Sequence, residues 1–128
     1  MKPLDRITNE NIDDNKTLNV WRFKSEIEKM VHNIANGNFS EIETSVAMGE
    51  TSIDDLQRVL REYGCSIAPL PDNALSLAET YNIESENRLD VYLPLWTKEE
   101  GRSDLTLFLS CFLKNGKPYI EINDLHVL

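Results

Sequence analysis

The sequence predicts an α+β fold in which two to three N-terminal helices pack on one face of a four-stranded antiparallel meander sheet. Apolar residues recur every three to four positions as far as Tyr63, and every second position from Leu75 onward. The period changes at Pro69 and Pro71, where a helix cannot continue. Helices first and strands afterwards make a layered fold with the helices on one side of the sheet.

Residues 1–19 hold Asn9, Asn11, Asn15 and Asn19 among scattered charges, and read as a loosely ordered arm ahead of a single domain over 20–128. Val20, Phe23, Ile27, Met30, Val31 and Ile34 then fall on one face of a helix that Gly37 ends. Phe39, Ile42 and Val46 repeat the spacing, so Ser40 is expected to cap a short helix over 41–47. Ser52 followed by Asp55 opens a third helix with the stripe Ile53, Leu56, Val59, Leu60 and Tyr63, which Gly64 closes.

Beyond the prolines, Leu75, Leu77, Tyr81 and Ile83 alternate as the buried face of a first strand. Leu89, Val91, Leu93 and Leu95 mark a second, and Leu105, Leu107, Leu109, Cys111 and Leu113 a third. Asn115-Gly116 predicts a two-residue hairpin, because both residues tolerate positive φ. That turn pairs Cys111 with Ile120, Leu109 with Ile122 and Phe112 with Tyr119. After Ile122 the parity of the apolar residues changes, which predicts a bulge or strand end near Asn123 and Asp124. A curved sheet wrapped on helices, as in cystatin-like or NTF2-like cones, is the architecture this order suggests.

The 128 residues, 41% hydrophobic, suffice for one core without a disulfide or metal. Cys65 and Cys111 form no CxxC, and His32 and His126 no metal-binding pair, so both thiols read as small apolar residues and no metal or cofactor is expected. No run approaches a membrane span and the start is polar and acidic, so the expected address is the cytoplasm. The net charge is −9, and its excess lies in residues 41–104, which hold 14 acids against 5 bases. Such a field repels nucleic acid and anionic lipid and attracts a cationic protein; the plainer reading is that it keeps the chain soluble.

The segment from Thr97 to Ser103 joins two strands with four charges, and a connection is where a binding site is displayed. Glu99, Glu100 and Asp104 are suited to accept hydrogen bonds from a basic partner side chain, with Arg102 orienting one carboxylate. Alternatively Arg102 pairs internally with Glu100 or Asp104. Glu84, Glu86, Asp90 and Trp96 complete the predicted partner-binding set. Trp96, Tyr92, Phe108, Phe112 and Tyr119 alternate with the leucines, so a second sheet face rich in aromatics is expected, unless the arm or a curl of the sheet covers it. Asp124 and His126 share one side of a strand, an arrangement suited to a general base, with Ser103 or Ser110 as nucleophile. Neither serine lies in a nucleophile elbow, and no nucleotide-binding or phosphate-binding glycine motif is present, so no catalytic residue is assigned.

The block Leu95-Trp96-Thr97-Lys98-Glu99-Glu100-Gly101-Arg102-Ser103-Asp104-Leu105-Thr106-Leu107, with the ending Asp124-Leu125-His126-Val127-Leu128, resembles a family of small bacterial domains of unknown function. Some of those are similar to immunity proteins of contact-dependent growth inhibition and related toxin systems. The resemblance implies a cytoplasmic protein that is not an enzyme and that binds and blocks a cognate toxin, often a nuclease with a basic cleft. It brings no catalytic motif, and the interface residues above rest on charge and position alone. Two other expectations stand beside it: a cone-fold enzyme or ligand carrier with a pocket of Asp104, Asp124 and His126, and a homo-oligomerising structural module that pairs through the aromatic face. The oligomeric state expected is a monomer or weak homodimer.

Overall fold

A computed structural model describes residues 18–128. Residues 1–17, most of the predicted arm, lie outside the described residues. Leu18 is buried, so the end of the chain assigned to the arm already belongs to the core.

The stripe beginning at Val20 divides into a 3-10 turn, Val20–Phe23, and helix α1, Lys24–Ala35. Asn19 caps the turn, its side-chain oxygen accepting from the Trp21 amide at 2.9 Å. Helix α2, Phe39–Ser45, starts and stops two residues earlier than predicted, and Ser40 does not cap it. Ala47–Met48 leaves the helix to become strand β1. Helix α3, Ile53–Tyr63, keeps both signals read from the sequence: Ser52 Oγ accepts from the Asp55 amide at 3.1 Å, and Gly64 takes φ 82°.

Leu75 and Leu77 do not begin a strand. They lie in a 3-10 turn, Ala74–Leu77, closed by the Ala74 amide on Pro71 O and by Ser76 Oγ on Asn73 O. The strands are β2, Glu79–Ile83; β3, Arg88–Thr97; β4, Gly101–Lys114; and β5, Lys117–Val127. The sheet order is β1-β5-β4-β3-β2. The last four strands form the antiparallel meander, and β1 makes the sheet five-stranded and mixed by pairing parallel to β5.

The hairpin register follows the Asn-Gly signal. Asn115 at φ 53° and Gly116 at φ 77° turn the chain, and Cys111 faces Ile120, Leu109 faces Ile122 and Phe112 faces Tyr119. Pairing shifts by one residue at Asn123, and that bulge returns Leu125 to the buried face opposite Leu107. Thr97 pairs with Gly101, so only Lys98, Glu99 and Glu100 remain outside the strands where a longer loop was expected.

The leucine face forms the core. Leu93, Leu95, Leu105, Leu107 and Leu109 are wholly buried against Phe23, Ile27, Val31, Ile42 and Leu56 from the helical half. Each such side chain contributes about 1.5–3 kcal/mol by leaving water. Tyr81 departs from the predicted pattern: pairing with Asp90 turns it away from the core, and it is 53% exposed. Among the described residues no helix is long and apolar enough to cross a membrane.

Candidate functional site

The alternation that buries the leucines turns Arg88, Asp90, Tyr92, Pro94 and Trp96 of β3 to the other face of the sheet. Phe108, Ser110 and Phe112 stand beside them on β4, Tyr119 and Glu121 on β5, and Tyr81 on β2. A ladder of rings crosses three strands. Phe108 and Tyr92 stack with centroids 4.5 Å apart and planes within 5°, and Tyr81 meets Tyr92 edge-on at 5.8 Å. Phe112 packs on Tyr119 at 6.1 Å, and the Lys114 ammonium lies 3.8 Å above the Tyr119 ring. The aromatic face expected from the sequence is therefore present, half-buried by its own neighbours.

Beside the ladder runs a chain of polar contacts. Arg88 donates to Asp90 at 2.9 and 3.3 Å and also to Glu86. Ser110 Oγ donates to Asp90 Oδ1 at 3.0 Å, and Asn123 Nδ2 donates to Ser110 Oγ at 2.7 Å. Asp90, Ser110 and Asn123 are buried although they face away from the core. The Asp90 carboxylate, hydrogen-bonded to the guanidinium, holds the Arg88 pKa above its usual value.

This chain borders an open groove of about 550 Å³ lined by Glu50, Arg88, Phe108, Ser110, Glu121, Asn123 and Asp124. Arg88 is already committed to Asp90 and Glu86, and Asp124 Oδ2 stands 3.0 Å from His126 Nδ1. Glu50 and Glu121 are therefore the groove carboxylates that form no ion pair among the described contacts, with Glu121 near enough to Arg88 to favour its charged form. Among the described residues no three of His, Cys, Asp and Glu converge as metal ligands do. The spread of these carboxylates suits a guanidinium or ammonium side chain lying on Phe108.

Gly49 sets one wall. Its amide donates to Ile122 O at 2.8 Å, and a Cβ there would collide with Asn123 Oδ1 and come within 2.9 Å of the Glu121 side chain. Asn123 is buried and tied to Ser110, so it has little room to retreat. Gly49→Ala is expected to destabilise the protein by about 1–3 kcal/mol, read by urea unfolding, and to shift the Asn123 side-chain amide signals in NMR spectra.

The predicted site residues fall into two groups. Glu86 and Asp90 join Arg88 on the open face, and Trp96 lies there half-buried, cross-strand from Arg102. Glu84 is exposed in the 3-10 turn before β3. The charged turn is used within the molecule instead. Glu99 accepts from the Ser66 amide at 2.9 Å, and Glu100 accepts from the Tyr63 hydroxyl at 2.7 Å and from Thr97 Oγ1 at 3.3 Å. Tyr63 in turn accepts from the Asp104 amide at 3.3 Å, so the turn clasps the end of α3 and the chain after it. Arg102 forms no ion pair with Glu100 or Asp104 among the described contacts, contrary to the internal pairing weighed from the sequence.

The clasp gives a pH signature. The Ser66 amide hydrogen bond holds the Glu99 carboxyl below its usual pKa of 4.5, and the Glu100 carboxylate accepting from Tyr63 pushes the phenol above 10.0. A carboxyl whose folded pKa is depressed contributes stability above its unfolded pKa and loses it as pH falls through the folded one. Protection of the Ser66 amide from hydrogen exchange is therefore expected to persist at neutral pH and vanish as pH falls below 4.5. Glu99→Gln removes that dependence.

His126 Nδ1 stands 3.0 Å from Asp124 Oδ2, outside hydrogen-bond geometry, beside an open groove of about 500 Å³ against α3. Both serines considered as nucleophiles are engaged elsewhere, Ser103 Oγ donating to Leu95 O at 2.8 Å and Ser110 Oγ to Asp90. Cys65 and Cys111 are free thiols, and burial pushes Cys111 up to about 12.

Glu50, Arg88, Glu121 and Asn123 were not assigned to a binding surface by their sequence, and Asp124 only to a pocket with Asp104 and His126. The charge count directed attention to residues 41–104, whereas Glu121 and Asp124 lie beyond it and reach the groove through β-pairing. The parity change at Asn123 was the available signal, since bulges are over-represented where a sheet re-aims side chains. The acidic excess itself is only partly gathered: Glu41, Glu43, Asp54 and Asp55 are exposed on α2 and α3 and line neither groove at Asp124, while Glu62 of α3 borders the second of them.

No curated protein and no solved structure matches the chain. Residues 31–128, from within α1 through the groove to the last residue, match the model of a family described as a domain of unknown function, and the chain belongs to that family, DUF7668.

Proposed function

We propose that this protein is an immunity-type binding protein that receives a cationic toxin domain on the open face of its sheet. The observation that carries this reading is the groove of Glu50, Glu121 and Asp124 beside a row of partly exposed aromatic rings. Rings supply apolar contact area, and the groove carboxylates draw in and orient a basic surface. The helices cover the opposite face, which leaves this one free among the described residues.

The protein acts by occlusion. Carboxylates around the groove take the place of the phosphates that a nuclease-type toxin would bind, and the ring ladder seals the contact against water. The cytoplasm is where such a partner must be met. The test is rescue of growth in cells that make the toxin domain encoded directly upstream. The native chain is expected to restore growth and Glu121→Lys/Asp124→Lys to fail, with unchanged circular dichroism. Full rescue by the reversed variant removes the groove from the interface; absence of any toxin domain beside the gene removes the immunity reading.

A further inference from the structure

The sheet has two edges, and they are finished differently. The edge at β5 is screened by β1, by the Gly49 amide bonded to Ile122 O, and by α3, which lines a groove with residues 124–127. The edge at β2 is less protected: it is short, carries the charge of Glu79, and meets Leu18 O only through the Asn82 side chain, which donates to it at 3.2 Å. Glu79-Thr80-Tyr81-Asn82-Ile83 contains no lysine and no proline, and pairs with β3 in one unbroken register from Glu79↔Tyr92 to Ile83↔Arg88. Natural sheets blunt such edges with bulges, prolines or lysines, because an unpaired row of amides and carbonyls accepts another strand.

Three further observations describe what this edge would accept. Glu79, Thr80 and Tyr81 are exposed, and among the described residues no strand lies outside β2. The ring ladder Phe108–Tyr92–Tyr81 runs outward across the strands and ends on Tyr81, at the position where an added strand would place its next side chain. The charge along the seam is negative: Glu79 lies in β2, and Glu84 and Glu86 are exposed in the turn that follows it. Arg88, the base of this region, is held by Glu86 and Asp90.

We infer that β2 receives an extended, basic segment of a protein partner as a sixth strand, with alternate lysine or arginine side chains lying over Tyr81 and against Glu79 and Glu86. The sign of the partner rests on the function proposed above; the edge is a second contact, separate from the groove. A second copy of this chain fits poorly, because pairing two β2 edges would bring Glu79, Glu84 and Glu86 of both copies, each chain carrying a net charge of −9, onto one seam.

The test uses the full chain, labelled with 15N, and a short blocked peptide alternating lysine and valine at low salt. Amide shifts are expected to move along Glu79–Ile83, and alternate amides there to gain about tenfold or more protection from exchange. A glutamate–valine peptide and a proline-interrupted lysine peptide are expected to do neither. Tyr81→Lys, at an exposed position, should weaken the lysine peptide about tenfold, and Glu121→Lys/Asp124→Lys should weaken it far less, leaving the shifts on Glu79–Ile83 in place. Shifts confined to the groove, or none, overturn the inference. So does protection, in the free protein, of the β2 amides that point away from β3, whether it grows with concentration, as a second copy would cause, or does not, as a segment of the same chain would. If the peptide docks on β2 while the groove-reversed variant still rescues growth, the groove reading fails and the edge stands; the opposite pair of results removes the edge alone.

Discussion

Reversing the two groove carboxylates, Glu121→Lys with Asp124→Lys, is expected to weaken binding of the cationic partner about 100-fold or more while leaving the fold intact. Glu121 is half-buried and Asp124 exposed, and neither accepts a side-chain hydrogen bond that closes the core. Their loss therefore falls on the partner, which meets two positive charges where it had two negative ones. Part of the effect belongs to encounter: association of the native pair slows steeply as salt rises, and the reversed variant shows little such dependence. Stopped-flow association at several ionic strengths separates the two contributions. The equivalent reversal of Glu99 and Glu100 is expected to act differently. Both carboxylates are spent on Ser66 and Tyr63, so their replacement loosens the clasp on α3 more than it alters a docking surface.

Asp90→Ala is expected to destabilise the protein by about 2–3 kcal/mol. The Asp90 carboxylate accepts from Arg88 at two nitrogens and from Ser110, and the aspartate is 9% exposed. Removing it strands a largely covered guanidinium, which keeps only the exposed Glu86, and leaves Ser110 one partner short. A fully buried pair would cost more; the Arg88 side chain is 25% exposed, and water offsets part of the loss. For a domain of this size the expected drop in Tm is about 10 °C. Asp90→Asn, which keeps an acceptor for Ser110, should cost roughly half as much. Arg88→Met with Asp90→Leu should recover part of the stability, because an apolar pair needs no partners. The same double substitution removes the polar chain beside the groove. Loss of partner binding with regained stability would show that the chain serves recognition more than folding.

Much of the fold was legible because its signals are local. Ser52 and Gly64 bracket α3 by capping chemistry, and Asn115-Gly116 fixes the β4–β5 register through its turn geometry. What was missed depends on distant partners. Ala47 and Met48 carry no period of their own and become a strand only because Glu121 and Ile122 are there to pair with. Leu75 and Leu77 alternate as a strand would, but the turn closed by Pro71 and Asn73 sets their conformation. Tyr81 was assigned to the core by alternation with Leu77, and the intervening turn resets that parity.

The candidate site was half legible for the same reason. The aromatic face follows from alternation alone, which put Trp96 on it, and Asp90 shares that face because it too alternates with the leucines of β3. Glu99 and Glu100 attracted attention as a charged connection, yet a carboxylate near an unpaired amide or a tyrosine hydroxyl is captured by it, and only the fold shows that Ser66 and Tyr63 stand there. Glu50 reaches the groove from the chain after β1, which no sequence spacing links to Asp124.

Whether negative charge is gathered for use, and not merely distributed for solubility, is decided most directly by titrating the 15N-labelled chain with an arginine-rich peptide and mapping the amide shifts. The account predicts that they cluster at Arg88, Ser110, Glu121, Asn123 and Asp124. Shifts spread equally over Glu41, Glu43, Asp54 and Asp55 on the helices would contradict it.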